Sequence, residues 1–495
     1  MRPVPPGSAD RPSSLTRRRA LALFGAAGSG VLAGCAGGRD DAATGRATGS
    51  STPTATPTPA PPDVADTFPS DEDPDTGLEV HQLTTGEGVT DVQDHYTGYY
   101  HHDPLYGDWV VTWTVAASGK RHYKTNVRTG ERVPLAGWNG MTGIQVRGAD
   151  LFTTRVDGPD RWLAALDLDA MTWTDHGAGT HDDPWRISGS LAVDPAGSHV
   201  LAYEAPVGRL PSVDGPEHRT RHHDLEAGTS TVVRESPHLR NHYEFSPAGD
   251  GTFRAINEWI DRPNSSRFGT ERFVVGHVDR GGGEPLELEG EFWASDGDTA
   301  GPRGTGFNMA HPFWAPDGRC HTDVVWHPEL PAGEFELVTF DFPSVDDPFA
   351  PIPKRHQTRR RYPGRYWSHH FTPVETGGGD WFVGDGDVGG TFTVGGGIGR
   401  TYVNAGLLLE GGDMVYVPLA RVPRPLHDSR THLLPGGEGV VTVWKHDLRP
   451  DVEGRHNVFL IELPVRYQRA MAGDDAALRG LLDDGRATRV ENRLE

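Results

Sequence analysis

Short strand-like runs that follow a turn recur along most of this chain. In each run, β-branched and aromatic residues are interleaved with polar ones behind a Gly or Asp-Gly turn, as in GDWVVTWTV from Gly107 and GEGVVTVWKH from Gly437. Runs of this kind, bounded by turn residues, are typical of strands, whereas helical periodicity is scarce from Asp75 onward. The pattern predicts an all-β fold.

The spacing of these runs predicts the architecture. Seven of them begin at Gly107, Ala149, Gly197, Asp250, Asp317, Gly378 and Gly437. They are about 40 to 70 residues apart, which is the range expected of propeller blades with insertions. Several are followed by a further strand that closes on a turn, as in residues 122–135 and 221–233. We predict a seven-bladed β-propeller over residues 75–470. The alternative is a pair of β-sandwiches, which would show alternation without this repeat.

The N-terminus has the features of an export signal. Arg17, Arg18 and Arg19 precede an apolar run over residues 20–32 that is too short to span a membrane as a permanent helix. The paired arginines indicate the twin-arginine route. The sequence Leu-Ala-Gly-Cys ending at Cys35 resembles a bacterial lipobox. Residues 1–35 therefore predict lipidation at Cys35 and a lipid anchor on the outer face of the cell membrane. An uncleaved anchor is the alternative, and it leaves the protein on the same side.

The segments that flank the predicted propeller differ from it in composition. Residues 36–74 are rich in Gly, Ala, Ser, Thr and Pro, and such a segment buries too little apolar surface to fold, so it predicts a disordered tether. Residues 471–495 predict a C-terminal tail with a short helix around residues 476–482. Cys35 and Cys320 are the two cysteines, and lipidation of the first predicts a chain without a disulfide.

The overall charge limits the partners of the protein. The formal net charge is -22, so no nucleic-acid-binding face is expected. An acidic protein that acts on an acidic substrate needs a local group of cations. The strongest basic run lies between Lys354 and Arg365. It is either a solvated loop or a patch that attracts a polyanion.

Four stretches hold most of the polar residues that could carry chemistry, and each lies near a predicted turn or strand end. They are residues 73–104, 217–262, 309–318 and 354–387. The third stretch, MAHPFWAPDG, places His311 just before a Pro-Asp-Gly turn, which is the kind of edge where sites are built. A histidine that hydrogen-bonds within a β-rich core is the alternative there.

Taken in order, these stretches resemble the motifs of the oligogalacturonate lyases, a family of seven-bladed propellers. Asp-x-x-Thr-Gly-x-x-Val-x-x-Leu-Thr is similar to residues 73–84, with Tyr96 nearby. Ser-His-x-x-x-Asn-Pro and His-Glu-Gly resemble residues 241–247 and 257–259. His-Glu-Phe-Trp-x-x-Asp-Gly resembles residues 311–318, and His-Phe-x-Val with a later Gly-Asp-Gly resembles His370 and residues 384–386.

The resemblance implies β-elimination on a uronate-containing oligosaccharide, in which a base removes the proton α to the carboxylate. Such a site needs a base and positive charge on the carboxylate. The family motifs imply His242 as the base, and Arg219, with Arg221 second, as the carboxylate partner. A solvated arginine pair and a structural histidine are the alternatives. The aromatic Tyr366 and Trp367, with Arg365, are expected to bind sugar.

The resemblance also implies a divalent metal, with Mn²⁺ as a candidate. Its ligands in the family are one His of the His-Glu-Phe-Trp motif, matched by His311, and a Gln-x-x-His-x-His cluster. Here the second cluster has no Gln at the matching distance and contains adjacent His369 and His370. Neighbours on a regular strand point to opposite faces, so only one of the two is expected to bind the metal.

Two functions follow from these observations. The first is an exported lipoprotein lyase that cleaves uronate-containing oligosaccharides. The second is a non-catalytic propeller that binds carbohydrate or protein at the cell surface. The departures around the metal ligands favour the second, and the presence of Arg219 and His242 favours the first.

Overall fold

The structure of the 495-residue chain is a computed structural model. The structure describes residues 64–65, 67–84, 92–99, 102–116, 119–135, 144–157, 160–179, 185–206, 218–236, 239–249, 251–258, 271–278, 281–285, 308–309, 313–326, 330–331, 333–340, 357–368, 370–374, 379–386, 402–421, 430–444, 448 and 455–494. No helix within these residues is long and apolar enough to cross a membrane.

The first three sheets in chain order are antiparallel meanders. The first consists of β3 (Val92–Thr97), β4 (Leu105–Tyr106), β5 (Trp109–Ala116), β6 (Gly119–Asn126) and β7 (Arg132–Pro134). The second consists of β8 (Gln145–Arg147), β9 (Asp150–Asp157), β10 (Asp160–Asp167) and β11 (Thr172–Gly179). The third consists of β12 (Trp185–Val193), β13 (His199–Pro206), β14 (His218–Asp224) and β15 (Thr229–Ser236).

The next three sheets follow the same plan. The fourth consists of β16 (Leu239–Phe245), β17 (Thr252–Glu258), β18 (Glu271–His277) and β19 (Gly281–Pro285). The fifth consists of β20 (Asn308–Met309), β21 (Phe313–Trp314), β22 (Cys320–Trp326), β23 (Glu334–Phe340) and β24 (Gln357–Pro363). The sixth consists of β25 (Phe371–Pro373), β26 (Asp380–Gly384), β27 (Tyr402–Leu408) and β28 (Met414–Arg421), and β32 (Thr488–Val490) extends its edge.

The seventh sheet joins the two ends of the described chain. Its strands are β29 (His432–Leu433), β30 (Gly439–Trp444), β31 (Asn457–Glu462), β2 (Glu79–Gln82) and β1 (Ser70–Glu72), in that order. Pairing of β2 with β31 closes a ring of sheets, which is the arrangement of a β-propeller. The all-β prediction is thus confirmed. Seven sheets occur in the described part of the chain, and the number of blades stays a prediction.

The turn-strand runs recognised in the sequence occupy an equivalent place in every sheet. They form β5, β9, β13, β17, β22, β26 and β30, the second strands of the seven sheets. Each second strand is paired on both sides, and the buried face of each packs against the next sheet, as Leu201 and Tyr203 pack on Tyr243 and Phe253. This double pairing explains why the second strands carry the strongest apolar pattern.

Ordered structure begins before residue 75 and continues past residue 470. The strand β1 and the buried Val64 lie within the segment 36–74, for which the sequence predicts a tether. At the other end, α1 (Val465–Met471) and α2 (Asp475–Asp483) precede β32. The second helix lies where a short helix was expected, and the Asp474 side chain caps it by accepting from two backbone N–H groups.

The first strand of several sheets is interrupted opposite the middle of the second strand. Pairing is lost after Thr97 and resumes at Leu105 between β3 and β4, and it is also lost at 188–190 within β12 and at 242–243 within β16. Interruptions at similar heights in these sheets put irregular backbone at one level of the ring. His242 lies in one of them.

Candidate functional site

A buried histidine links two side chains that are distant in the sequence. His370 Nδ1 lies 2.5 Å from Asp385 Oδ2, and its Nε2 lies 2.7 Å from the Tyr99 hydroxyl. Asp385 Oδ1 also accepts the His370 backbone N–H at 2.9 Å. The His370 and Asp385 side chains are 1% and 0% exposed, and Tyr99 is half-buried. We refer to Tyr99, His370 and Asp385 as the central triad.

The first hairpin of the sixth sheet sets the position of His370 against Asp385. His370 directly precedes β25 and Asp385 directly follows β26, and the pairing of Phe371 with Gly384 aligns them. Gly384 is required for close approach, since a Cβ there would lie 2.3 Å from Ser368 Oγ. The Gly-Asp-Gly sequence at residues 384–386 therefore has a local physical reason.

The described residues between β3 and β4 contact other sheets, and this places Tyr99 next to His370. His102 Nε2 donates to the carbonyl of Leu191 in the third sheet at 3.1 Å. The carbonyl of Gly98 accepts from His432 Nε2 in the seventh sheet at 3.1 Å. Gly98, Tyr99 and His102 thus connect the first sheet with the seventh, sixth and third. In a ring of sheets, such contacts lie at the centre.

Arg430 provides positive charge beside the central triad. Its guanidinium carbon lies 5.3 Å from the ring centroid of Tyr99, 5.3 Å from that of Tyr96 and 5.1 Å from that of Trp113. Its Nη1 donates to the Thr97 carbonyl at 2.6 Å, and its Nε is buried without a hydrogen-bond partner. Within the described residues, no carboxylate forms an ion pair with Arg430.

The histidines nearest Arg430 are held neutral. Burial, with a smaller contribution from the charge of Arg430, lowers the pKa of His102 to about 3. The same causes lower the pKa of His432 to about 4. A further histidine, His456, pairs with Asp94 at 2.6 Å. The charge at Arg430 is therefore not cancelled in the described structure, and this location suits an anion.

Arg219 and Arg221, predicted to hold the substrate carboxylate, bind Glu204 instead. Arg219 Nε and Arg221 Nε each donate to a different oxygen of Glu204, the second at 2.9 Å. Arg219 also lies over the Trp185 ring, with its guanidinium carbon 4.6 Å from the centroid. Glu204 is 8% exposed, so this group is largely shielded from solvent.

The side chains of Arg219 and Arg221 lie on the face of the third sheet that points away from β16, the strand that carries His242. Thr220, between the two arginines, points toward β16 and lies 2.7 Å from the Tyr243 hydroxyl. Successive side chains on a strand point to opposite faces, so Arg219 and Arg221 point away from β16. The described contacts do not bring Arg219 together with the segment around His242, and its role in catalysis stays a prediction.

The other predicted site residues divide into two groups. The backbone of His242 is part of β16, while its side chain, and all of His311 and His369, lie outside the described residues. Trp367 is 3% exposed and packs in an apolar cluster with Phe313, so it does not offer a face to a sugar. Burial counts against a role of Trp367 in binding sugar, and that role stays a prediction.

Tyr366 and Arg365, which precede Trp367 in the sequence, also contact other side chains of the fold. Tyr366 packs edge-on against Tyr416, with ring centroids 5.0 Å apart. The exposed Arg365 lies over the Tyr366 ring, with its guanidinium carbon 4.8 Å from the centroid. Tyr366 therefore has a tyrosine and an arginine as ring neighbours, and its binding of sugar stays a prediction.

The basic run between Lys354 and Arg365 is paired in part where it is described. Arg359 and Arg361 both donate to Glu336, whose side chain is 0% exposed. Arg360 is 7% exposed and donates to Thr339 Oγ1. Arg359 and Arg361 therefore share a buried carboxylate and contribute to the packing of β24 on β23. The attraction of a polyanion by this run stays a prediction.

Of the three histidines predicted as metal ligands, His370 is the one that the structure describes, and the predicted metal site stays a prediction. Both ring nitrogens of His370 are hydrogen-bonded, one to Asp385 and one to Tyr99, so a metal ligand bond would displace one of these partners. A separate group on the seventh sheet, Glu79, His81 and Glu462, has ligand atoms within 4.8 Å of one another and could hold a cation.

Tyr99 and Asp385 lie in two of the polar stretches of the sequence, but no motif gives either of them a role. Asp385 belongs to the Gly-Asp-Gly match, and Arg430 lies outside the four stretches. Their meeting depends on ring closure, because Tyr99 and His370 are 271 positions apart. The stretches were visible in the sequence, whereas the contacts were not.

Comparisons with known proteins agree on the fold. No model of a protein family matches this chain, and no curated protein matches it. Among solved structures, an oligogalacturonate lyase in complex with manganese is 16% identical, with a TM-score of 0.58, and the match covers 81% of this chain and 96% of that one. Oligogalacturonate lyase from Vibrio parahaemolyticus is 15% identical, with a TM-score of 0.58, and the match covers 82% and 100%. The chain thus has the β-propeller fold of the oligogalacturonate lyases, as its motifs predicted.

Proposed function

We propose that the protein is a lyase that cleaves uronate-containing oligosaccharides by β-elimination. The observation that carries the proposal is Arg430, a cation with no ion-pair partner in the described structure, next to a hydrogen-bonded Tyr-His-Asp triad. These groups meet where residues from four sheets converge. The fold shared with oligogalacturonate lyases supports the same reaction class.

The chemistry explains why such a centre is suitable. Elimination removes the proton on C5, which is α to the uronate carboxylate, and negative charge spreads onto the carboxylate oxygens. The electron pair then forms the C4–C5 double bond as the C4–O4 bond breaks. A base takes the proton, and a guanidinium stabilises the charge on the carboxylate. The motif resemblance assigns these roles to His242 and Arg219, and both remain candidates.

We also propose that the protein acts at the outer face of the cell membrane. The lipobox at Cys35 and the arginines before it support export by the twin-arginine route and attachment to the outer face of the cell membrane. There the enzyme would meet acidic oligosaccharides that arrive from outside the cell. We include an accessory site for a Mn²⁺ or Ca²⁺ ion, formed by Glu79, His81 and Glu462. An ion bound there takes no part in the reaction.

The test is to incubate the purified protein with a panel of uronate oligosaccharides and follow the ultraviolet absorbance of the conjugated double bond. We expect absorbance to rise with at least one uronate, and we expect the products to carry no added water. Parallel reactions with Mn²⁺, Ca²⁺ or a chelator test the cation.

Arg430→Gln is expected to lose most activity, while Arg319→Gln, a matched change at an arginine paired with Asp317 and Asp380, is expected to keep it.

The alternative is a propeller that binds carbohydrate without cleaving it. It is favoured by one observation, the engagement of both His370 nitrogens where the motif resemblance implies a metal ligand. It predicts flat absorbance for every uronate together with binding that depends on Arg430. Absorbance that rises in the wild type and not in Arg430→Gln contradicts this alternative.

A further inference from the structure

A row of aromatic side chains crosses one face of the first sheet beside Arg430. Tyr96 on β3 pairs with Trp113 on β5, and Trp113 pairs with His122 on β6. Directly paired residues of antiparallel strands point to the same face of the sheet. The ring centroids are 6.1 Å apart for Tyr96 and Trp113, and 6.5 Å apart for Trp113 and His122. The three rings therefore form a continuous row across three strands.

Lys120 lies at the outer end of this row. It precedes His122 by two positions on β6, so the two side chains share a face of the sheet. Two positions along a strand correspond to about 7 Å. Arg121, which lies between them, points to the opposite face. Lys120 is half-buried, whereas Arg121 is exposed. The row thus has a lysine at its outer end and Arg430 at its inner rings.

The inner rings hold the guanidinium of Arg430 in place. Its carbon lies 5.1 Å from the Trp113 centroid and 5.3 Å from the Tyr96 centroid. Such cation–π contacts orient a guanidinium without neutralising its charge. Nη1 donates to the Thr97 carbonyl, whereas Nε is buried without a hydrogen-bond partner in the described structure. A carboxylate that binds Arg430 from outside the chain would satisfy this N–H group, since guanidinium and carboxylate form two parallel hydrogen bonds.

The two cations of the row interact electrostatically. Burial lowers the pKa of Lys120 to about 8, and the charge of Arg430 is the second cause. The ring of His122 is neutral, because burial lowers its pKa to about 3. At neutral pH the row therefore carries two positive charges that repel each other. An anionic ligand that contacts both cations would remove this repulsion.

Resting on the proposed lyase function, we propose that Arg430 and Lys120 form a subsite for two neighbouring uronate units, with one carboxylate bound by each cation. Arg430 binds the carboxylate of the reacting unit, and Lys120 binds that of the adjacent unit. Tyr96 and Trp113 are positioning residues, since they act by holding Arg430. The substrate class is then an oligosaccharide with at least two adjacent uronates whose carboxylates are not esterified.

The first test changes the ligand and leaves the protein intact. Calorimetric titration of wild-type protein compares digalacturonate with its two mono-methyl esters, and the ultraviolet absorbance of each sample is recorded. Where a ligand is cleaved, KM takes the place of the dissociation constant. Each ester removes one charged hydrogen-bond partner and is expected to bind about 10- to 100-fold more weakly. Equal affinity for digalacturonate and either ester overturns the proposal.

The second test assigns the adjacent carboxylate to Lys120. Lys120→Gln is expected to bind digalacturonate about 10- to 100-fold more weakly than the wild type. Esterifying the adjacent unit should cost this variant no further affinity, whereas esterifying the reacting unit should still weaken binding. Lys120→Gln that remains sensitive to both esters overturns the assignment.

Arg121→Gln is the matched control for Lys120→Gln. It removes one positive charge at the next position of β6, on the opposite face of the sheet. Its affinity for digalacturonate is expected to stay within about 3-fold of the wild type, because solvent and salt screen an exposed charge. If Arg121→Gln and Lys120→Gln weaken binding equally, the effect is one of overall charge and the proposal is wrong. The ester comparison on wild-type protein decides the matter if Lys120→Gln does not fold.

The positioning role of Trp113 has its own readout. Trp113→Leu removes the ring beside Arg430, whereas Trp113→Phe keeps a ring there. Trp113→Leu is expected to reduce the affinity lost on esterifying the reacting unit, and Trp113→Phe is expected to retain most of that loss. A role in folding alone would lower the amount of active protein and leave the affinity ratio of acid to ester unchanged. An unchanged ratio in Trp113→Leu therefore contradicts the positioning role.

Binding and cleavage are read separately, so the two proposals fail separately. Flat absorbance for every uronate, with both esters and Lys120→Gln behaving as expected, overturns the lyase function and supports the two-cation subsite as a binding site. Rising absorbance, with the esters cleaved at the same KM as digalacturonate, supports the lyase function and overturns this inference.

Discussion

Replacing Glu336 with alanine is expected to lower the free energy of unfolding by about 3 to 5 kcal/mol. Glu336 has a side chain that is 0% exposed, and it accepts hydrogen bonds from both Arg359 and Arg361. Removing it leaves two guanidinium groups, each at most 20% exposed, without their common carboxylate. Chemical denaturation of the variant and the wild type at pH 7.5 measures the difference.

Two further variants control this prediction. Glu410→Ala removes an exposed glutamate and is expected to change the free energy of unfolding by less than about 0.5 kcal/mol. Replacing Glu336, Arg359 and Arg361 together with apolar residues of similar size is expected to recover much of the loss, because no uncompensated charge remains. A Glu336→Ala variant as stable as Glu410→Ala contradicts the account of this network.

Lowering the pH from 7.5 to 5.5 is expected to destabilise the fold strongly. Five histidines are buried in the neutral form, and burial is the largest cause of the shift in each case. Their pKa is lowered to about 3 for His102, His122 and His321, and to about 4 for His223 and His432. In the unfolded chain, the same side chains have an ordinary pKa near ~6.5.

The sign of the effect follows from proton uptake. Below pH ~6.5 the unfolded chain binds protons at these histidines and the folded chain does not, so the stability falls as the pH falls. The loss continues until the pH reaches the folded-state pKa. Each such histidine contributes about 1.4 kcal/mol per pH unit, so five contribute up to about 7 kcal/mol. Typical folded domains are stable by about 5 to 15 kcal/mol.

Denaturation midpoints between pH 7.5 and pH 4.5 check this expectation. His122→Gln serves as the matched variant, because it removes one titrating group that is distant in sequence from His370 and Arg430. In His122→Gln, the free energy of unfolding should depend less steeply on pH than in the wild type. The difference in slope should correspond to about one bound proton. A stability that stays constant between pH 7.5 and pH 5.5 would mean that these histidines have ordinary pKa values in the folded protein.

The second strand of every sheet could be predicted from sequence for a physical reason. Its signal is local, because a turn with Gly is followed directly by a run such as residues 199–206, whose six central residues are buried. The first strands are short and interrupted, as in β4 and β21 with two residues each. Interrupted strands leave no regular alternation, so the level at which site residues gather could not be predicted.

The arginine-rich segments show a second limit of sequence reasoning. Arg219 and Arg221, like Arg359 and Arg361, are spaced two apart on a strand and look like cations available to a substrate. In the fold, a buried glutamate on the neighbouring strand is shared by each pair. The pairing depends on the register between strands, which the local sequence does not reveal. Arg430, a single arginine, could not be distinguished in the sequence.

One of the recognised motifs has a structural explanation. Asp73 accepts from the Thr76 backbone and hydroxyl through Oδ1, and from the Arg421 backbone through Oδ2. Thr76 Oγ1 also donates to the Leu419 carbonyl at 2.7 Å. The Asp-x-x-Thr-Gly match therefore anchors the N-terminal part of the seventh sheet to the sixth. It supports the resemblance in fold and adds nothing to the chemistry.

The central claim is that the protein cleaves uronate-containing oligosaccharides and that Arg430 binds the substrate carboxylate. A crystal structure of the wild-type protein with the unsaturated uronate product bound tests this most directly. We predict the product carboxylate within hydrogen-bond distance of the Arg430 guanidinium. A carboxylate bound at Arg219 and Arg221, with its C5 facing His242, would contradict the account.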